Sequence, residues 1–196
     1  MAKPTTWQSA CREALEHILD GLLEPPQGDE AEAWAKTMTT ERIEQMMRRR
    51  LDRAIEAVHP EEIADRLGEL AMWAWAYMYV DGYDLPSLDW MVQKLAAKQR
   101  AYGCGNILRF GMEGLKVRAS DKVERVSNMR AKGLTDEDEP LFDSLFDLVG
   151  YAAIARMLAD GTFELPLANE PKPEPEPESR PWLDLAAWQD RGREDG

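Results

Sequence analysis

Apolar residues in this chain recur at spacings of three and four in one segment after another, and the alternation expected of strands is nearly absent. The pattern predicts an all-α protein, a compact helical bundle of about six helices. The first runs from Thr6, a hydroxyl-bearing N-cap, to Leu23. It carries Leu15, Ile18, Leu19 and Leu22 on one stripe and is ended by Glu24-Pro25-Pro26-Gln27-Gly28. A second starts near Thr39-Thr40 and continues through Ile43, Met46, Met47, Leu51 and Ile55 to His59. Pro60, which has no N–H to lose, opens the third as its first helical residue.

That third helix is apolar all round from Leu70 to Met78, which places it at the centre of the bundle, and Asp81-Gly82 stops it. A fourth follows Pro86 with Leu88, Met91, Val92 and Leu95, and a glycine-bearing loop then spans Tyr102 to Gly111. A fifth runs from about Met112 to Ala131 and is closed by Lys132-Gly133. The acidic stretch to Glu139 leads into a sixth that ends at Asp160-Gly161. The segment from Met78 to Pro86 is echoed from Met157 to Pro166 with one residue inserted. The body therefore reads as two related helix pairs, a chance likeness between helical sequences being the alternative.

Beyond Pro166 the pattern breaks. Glu170-Pro171-Lys172-Pro173-Glu174-Pro175-Glu176-Pro177-Glu178 can bury no core, so 167–180 reads as a stiff linker of polyproline character. It separates a helical domain over 1–166 from a tail over 181–196. In that tail Pro181-Trp182-Leu183-Asp184-Leu185-Ala186-Ala187-Trp188 again carries an apolar stripe, fit to dock on its own body, a dimer mate or another protein.

Composition narrows the setting. No run approaches the roughly 18 to 20 apolar residues that cross a bilayer, and Met1-Ala2-Lys3-Pro4 is followed by an amphipathic segment rather than a signal core. A cytoplasmic protein without membrane contact is expected. The formal charge of −13 disfavours a long nucleic acid as partner but not a small phosphorylated ligand. Cys11, Cys104, His17 and His59 stand apart with no zinc-ligand spacing and read as packed thiols and surface imidazoles. Catalytic triads, phosphate-binding glycine loops and dinucleotide fingerprints find no pattern here.

The candidate chemistry lies in the last two helices of the body. Glu139, Asp143 and Asp147 are four apart and followed by Tyr151, so all four fall near one stripe while Leu141, Leu145, Leu148, Ala152 and Ala155 supply the core face. Like charges at that spacing repel, so the stripe needs a cationic partner. On the fifth helix Arg118, Asp121, Arg125 and Asn128 share a face, flanked by Lys122 and Glu124. Antiparallel packing would set Asp121 opposite Asp143 and Asp147 across a groove lined by Arg118, Lys122 and Arg125. Carboxylates for Mg²⁺ and guanidinium forks for phosphate fit that groove, and so does an ordinary interhelical salt-bridge network.

Three stretches carry a resemblance: Tyr102-Gly103 with Asn106; Val117-Arg118-Ala119-Ser120-Asp121-Lys122-Val123-Glu124-Arg125; and the run from Asp138-Glu139 through Asp143, Leu145, Asp147 and Leu148 to Tyr151-Ala152. Over about residues 98–160 the chain resembles the nucleotide modification associated domain of small phage and prophage proteins. That family reads DYG, then R-x-x-D-K-x-x-R, then D-E-x-x-x-D-x-L-x-D-L-x-x-Y-A. Ala101 stands where the family has the aspartate before Tyr-Gly, so that residue's role is missing or supplied from elsewhere.

The layout is similar to MazG-like, all-α nucleoside triphosphate pyrophosphohydrolases. The resemblance implies metal-dependent hydrolysis of a (deoxy)nucleoside triphosphate to monophosphate and pyrophosphate, in phage nucleotide metabolism or DNA base modification. Asp121, Asp143 and Asp147 would be catalytic, with Mg²⁺ or Mn²⁺ on Asp143, Asp147, Asp121, Glu139 and Glu124. Asn106, Arg109, Arg118, Lys122, Arg125, Asn128 and Tyr151 would hold the substrate, in a homodimer with sites near its interface. Trp73, Trp75 or Trp90 would stack on the base or else pack in the core. The signature E-x-x-E, loop, E-x-x-D is met literally by Glu41, Glu44, Glu62 and Asp65, for which Arg48, Arg49 and Arg50 offer a plain salt-bridge account. The alternatives are a nucleotide-binding or adaptor protein that catalyses nothing, with Trp182–Trp188 as its docking segment, and a phage protein-interaction module.

Overall fold

Hydroxyl caps and one proline set where the helices begin. Thr6 Oγ1 accepts the Ser9 amide at 3.2 Å while Ser9 Oγ accepts the Thr6 amide at 3.1 Å, a reciprocal capping box. Thr39 and Ser87 each accept one amide three residues on, and Pro60 takes the first helical position after His59. The computed structural model describes residues 3–20, 37–132 and 141–168. Among these it has six helices: α1 (Trp7–Leu19), α2 (Thr40–Glu56), α3 (Pro60–Val80), α4 (Leu88–Tyr102), α5 (Gly105–Ala131) and α6 (Leu141–Ala159). The all-α expectation holds, and none of these helices is long and apolar enough to cross a membrane. Leu22, Leu23, the Glu24–Gly28 stop, Gly133, Glu139, the Pro/Glu linker and Trp182–Trp188 lie outside the described residues.

Two helices share the centre. α3 is buried from Leu70 and Ala71 through Ala74, Trp75, Ala76, Tyr77 and Met78, as its all-round apolar run predicts. α6 departs from the single core face expected of it: Phe142, Ser144, Phe146, Val149 and Ala153 are buried as well as Leu141, Leu145, Leu148, Ala152 and Ala155. Arg156 contacts Asp65, and Tyr83 packs on Phe142 at 5.7 Å between ring centroids, so α3 and α6 run antiparallel. α2 folds back along α3, with Arg50 on Glu69 at 3.1 Å, and α5 folds back along α6, with Lys122 on Asp147 at 2.8 Å. Trp73 is half-buried against the core, Trp75 lies within it, and Trp90 stacks edge-on against Phe146 at 5.2 Å.

The sequence echo has a backbone counterpart. After α3 the Tyr83 amide donates to the Met78 carbonyl at 3.0 Å, and after α6 the Thr162 amide donates to Met157 at 2.8 Å. In each turn a glycine adopts the left-handed φ that this closure needs, +83° at Gly82 and +67° at Gly161. The stretch between α4 and the long part of α5 differs from the expected loop. Residues 105–110 form a helical turn, and Gly111, at φ +52° and ψ −143°, kinks the chain before the main helix starts at Met112.

Lys116 fastens α5 to the end of α2. Its ammonium, almost wholly buried, donates to the Ala57 carbonyl at 2.7 Å, the Ile55 carbonyl at 3.3 Å and Glu113 Oε1 at 2.7 Å. These carbonyls belong to the open C-terminal end of α2, where a cation is electrostatically favoured. Lys116→Met keeps the length of the stem and strands the carbonyls. Urea denaturation is expected to show a loss of about 2 to 3 kcal/mol at unchanged slope, the magnitude of charged hydrogen bonds left unmade.

Candidate functional site

α4, α5 and α6 meet around a cavity of about 440 Å³, lined in part by Lys98, Tyr102, Asn106, Arg118, Asp147 and Tyr151, with Trp7 at the α1 side. The antiparallel pairing of α5 with α6 builds its polar wall: Lys122 stands opposite Asp147, and one turn away Arg118 stands opposite Tyr151. α4 supplies the other wall. Lys98 Nζ donates to Asp147 Oδ1 at 2.5 Å and lies over the Phe146 ring at 5.5 Å, which fixes where the ammonium sits. Leu95, Ile107 and Ile154 make the remainder apolar.

Asp147 is mostly buried, and burial on its own would raise its carboxyl. Hydrogen bonds from Lys122 and Lys98 outweigh that and hold it below the usual aspartate range. Tyr151 shifts upward, chiefly through burial and then through the nearby Asp147 charge, against the opposing pull of Lys122 and Arg118. The Arg118 guanidinium reaches the Tyr151 hydroxyl and also donates to Asn106 Oδ1. Two lysines thus neutralise one carboxylate, and the Arg118 guanidinium stands in the same cavity on Asn106 and Tyr151, in a chain whose overall charge is −13.

The sequence-predicted residues separate into those in this cavity and those elsewhere. Asn106, Arg118, Asp147 and Tyr151 line it and Lys122 binds its carboxylate. Asp121, Asp143 and Asn128 are exposed and outside its lining. Glu124 turns from α6 toward α2, where Arg48 Nη1 donates to it at 2.6 Å. Arg125 is half-buried outside the lining, and Arg109 is exposed with its guanidinium 5.6 Å from the Phe110 ring centre. Glu139 falls outside the described residues.

The expected groove of Asp121 facing Asp143 and Asp147 is therefore a cleft with Asp147 alone inside, because Lys122 and Arg118, not Asp121, occupy the α5 positions facing α6. Among the described residues no three acidic, histidine or cysteine side chains converge as a metal cage. One carboxylate suffices for a Mg²⁺ that keeps its waters and takes other oxygens from phosphate. Among the described residues the cavity offers one carboxylate to a metal that brings its other oxygen ligands with it, and no cage for a resident one.

The literal acidic signature divides. Glu44 accepts from Arg130 at 2.7 Å and from Arg48 at 3.4 Å, and Glu41 accepts from Arg130 at 2.5 Å. Burial would raise the Glu44 carboxyl, and its partners Ser127, Arg130 and Arg48 bring it below the ordinary range. Arg130 and Glu44 act electrically on Tyr77, whereas Asp65, twelve residues earlier on α3, contacts Arg156. Twelve helical residues span about 18 Å, so the two acidic pairs do not meet. Glu62 and Asp65 line a separate cleft of about 320 Å³ with His17 and Arg66.

Lys98, Gln99 and Trp7 complete the cavity and were not among the residues singled out from sequence. Lys98 had a faint signal, since it follows the buried Leu95 by three positions at the margin of an apolar stripe. Compared with protein-family models, with curated proteins and with solved structures, the chain matches none.

Replacing Asp147 tests the clamp. Asp147→Asn leaves two ammonium groups facing each other without a carboxylate, and a loss of about 1 to 2 kcal/mol is expected at neutral pH, discounted for the partial exposure of Lys98. Because the folded carboxyl lies below its unfolded value, its contribution is present above about pH 4 and is lost as pH falls further. Denaturation curves of parent and variant are expected to converge in that acidic window and to diverge above it.

Proposed function

We propose that this cavity binds a small phosphorylated ligand, a nucleotide by size and lining. The observation that carries the reading is the pair of lysines, Lys98 and Lys122, on Asp147, with Arg118 lining the same cavity beside an apolar and aromatic wall. A phosphate can take over the lysine hydrogen bonds that Asp147 holds, and a guanidinium can present two parallel donors to phosphate oxygens. Ile107, Ile154 and Trp7 offer the organic part of the ligand an apolar surface, with the largely exposed Tyr102 ring beside them. The volume falls within the roughly 300 to 1,000 Å³ of ordinary small-molecule sites.

The resemblance to phage nucleotide-modification proteins supports a nucleotide in particular, and adds a second reading in which the bound triphosphate is hydrolysed to monophosphate and pyrophosphate. One observation favours it: Asp147 is kept ionised within the cleft by lysines that phosphate would draw away. Mg²⁺ would then be held by Asp147 and phosphate oxygens and would supply charge neutralisation and an acidified water. The chain's own residues would position the phosphates through Lys98, Lys122 and Arg118, with Tyr151 and Asn106 fixing the Arg118 fork.

Calorimetric titration with the deoxynucleoside mono- and triphosphates, with and without Mg²⁺, tests binding, and chromatography of the same mixtures tests turnover. Arg118→Ala and Lys98→Ala are each expected to weaken binding about tenfold or more, the scale of a lost charged hydrogen bond, and added salt to weaken it further. Binding without product assigns a binding protein; monophosphate and pyrophosphate assign the hydrolase; no heat with any nucleotide overturns both readings.

A further inference from the structure

Six of the seven large apolar side chains left exposed among the described residues lie at one end of the bundle, where α2 and α4 finish and α5 begins. They are Ile55, Val58, Tyr102, Leu108, Phe110 and Val117, with Val58 at 78% and Tyr102 at 82% of full exposure. The Lys116 bridge to the Ile55 and Ala57 carbonyls brings the α2 and α5 parts of this surface together. The kink at Gly111 folds Phe110 against Gly114, one turn from Val117. Scattered exposed apolar residues need no explanation, but so many gathered at one end of a bundle are the kind of surface that proteins use for interaction.

We infer that this surface is the seat of the chain's own C-terminal segment, Trp182–Trp188. The described chain leaves at Ala168, whose amide donates to Gln8 Oε1 at 2.9 Å. Gln8 adjoins Trp7, and Trp7 lines the same cavity as Tyr102, so the exit lies beside the apolar end. Thirteen residues separate Ala168 from Trp182. At about 3.1 Å per residue for a proline-rich strand they reach about 40 Å, more than the width of a few packed helices at about 10 Å each. Trp182, Leu185 and Trp188 recur at a spacing of three, and a tryptophan buries about 150 to 250 Å². With Tyr102 belonging both to the patch and to the cavity lining, the seated segment would border the cavity mouth.

The test does not depend on what the cavity holds. The full chain carrying Trp188→p-benzoylphenylalanine is irradiated at low micromolar concentration and the cross-linked peptides are identified by mass spectrometry. Links within one chain to the 55–58 or 102–117 segments are expected, and Phe110→Asp combined with Val58→Asp, both exposed sites, is expected to abolish them without shifting the melting temperature. Links between chains assign the patch to a second copy and overturn the proposal. So do links to another part of the body, the absence of any link, and links that survive the double substitution.

Discussion

Helix α6 is enclosed on nearly every side, by α3, by α5, by α1 and by the side chains of α4, and it still carries a carboxylate in its second turn. A carboxylate taken that far from water costs several kcal/mol unless cations replace the lost hydration. Lys98 from α4 and Lys122 from α5 do so, one on each oxygen of Asp147. The packing of both flanking helices is thereby tied to one charge, and the cavity opens where their side chains converge on it. Lys116 meets a parallel need at the other face of α5, where the bare carbonyls at the end of α2 receive an ammonium that burial has stripped of water.

The helices were legible because each is specified by neighbouring residues. Thr6, Thr39, Pro60 and Pro86 mark starts, Asp81-Gly82 and Asp160-Gly161 mark stops, and the caps and turns observed there follow from local chemistry. The candidate site was legible in part. Arg118, Lys122, Asp147 and Tyr151 come together because their spacing on two antiparallel helices leaves them facing each other. The carboxylate groove did not follow, for helical spacing cannot say which flank of a face turns inward. A rotation of about 100° per residue separates Asp121 from Lys122, and Lys122 is the one that meets α6. Lys98 left only a faint signal because its role depends on how α4 lies across α6, and Glu124 lies away from the cavity because Arg48, far away in sequence, draws it to α2.

On the proposed function, the same arrangement would decide which anion uses the cavity. The chain is strongly acidic, and Asp121 and Asp143 add exposed negative charge to the very helices that build the cleft. A long polyanion would meet that outer charge along its whole length. A small ligand would pass it within about one Debye length, roughly 8 to 10 Å in ordinary salt, and then meet Lys98 and Lys122 on Asp147 with Arg118 beside them. A nucleotide whose phosphates already carry a divalent cation presents less negative charge on approach and leaves less to be offset inside. On that reading the acidic exterior and the lysine-lined interior would act in one direction, favouring small, compact and partly neutralised phosphates over nucleic acid strands.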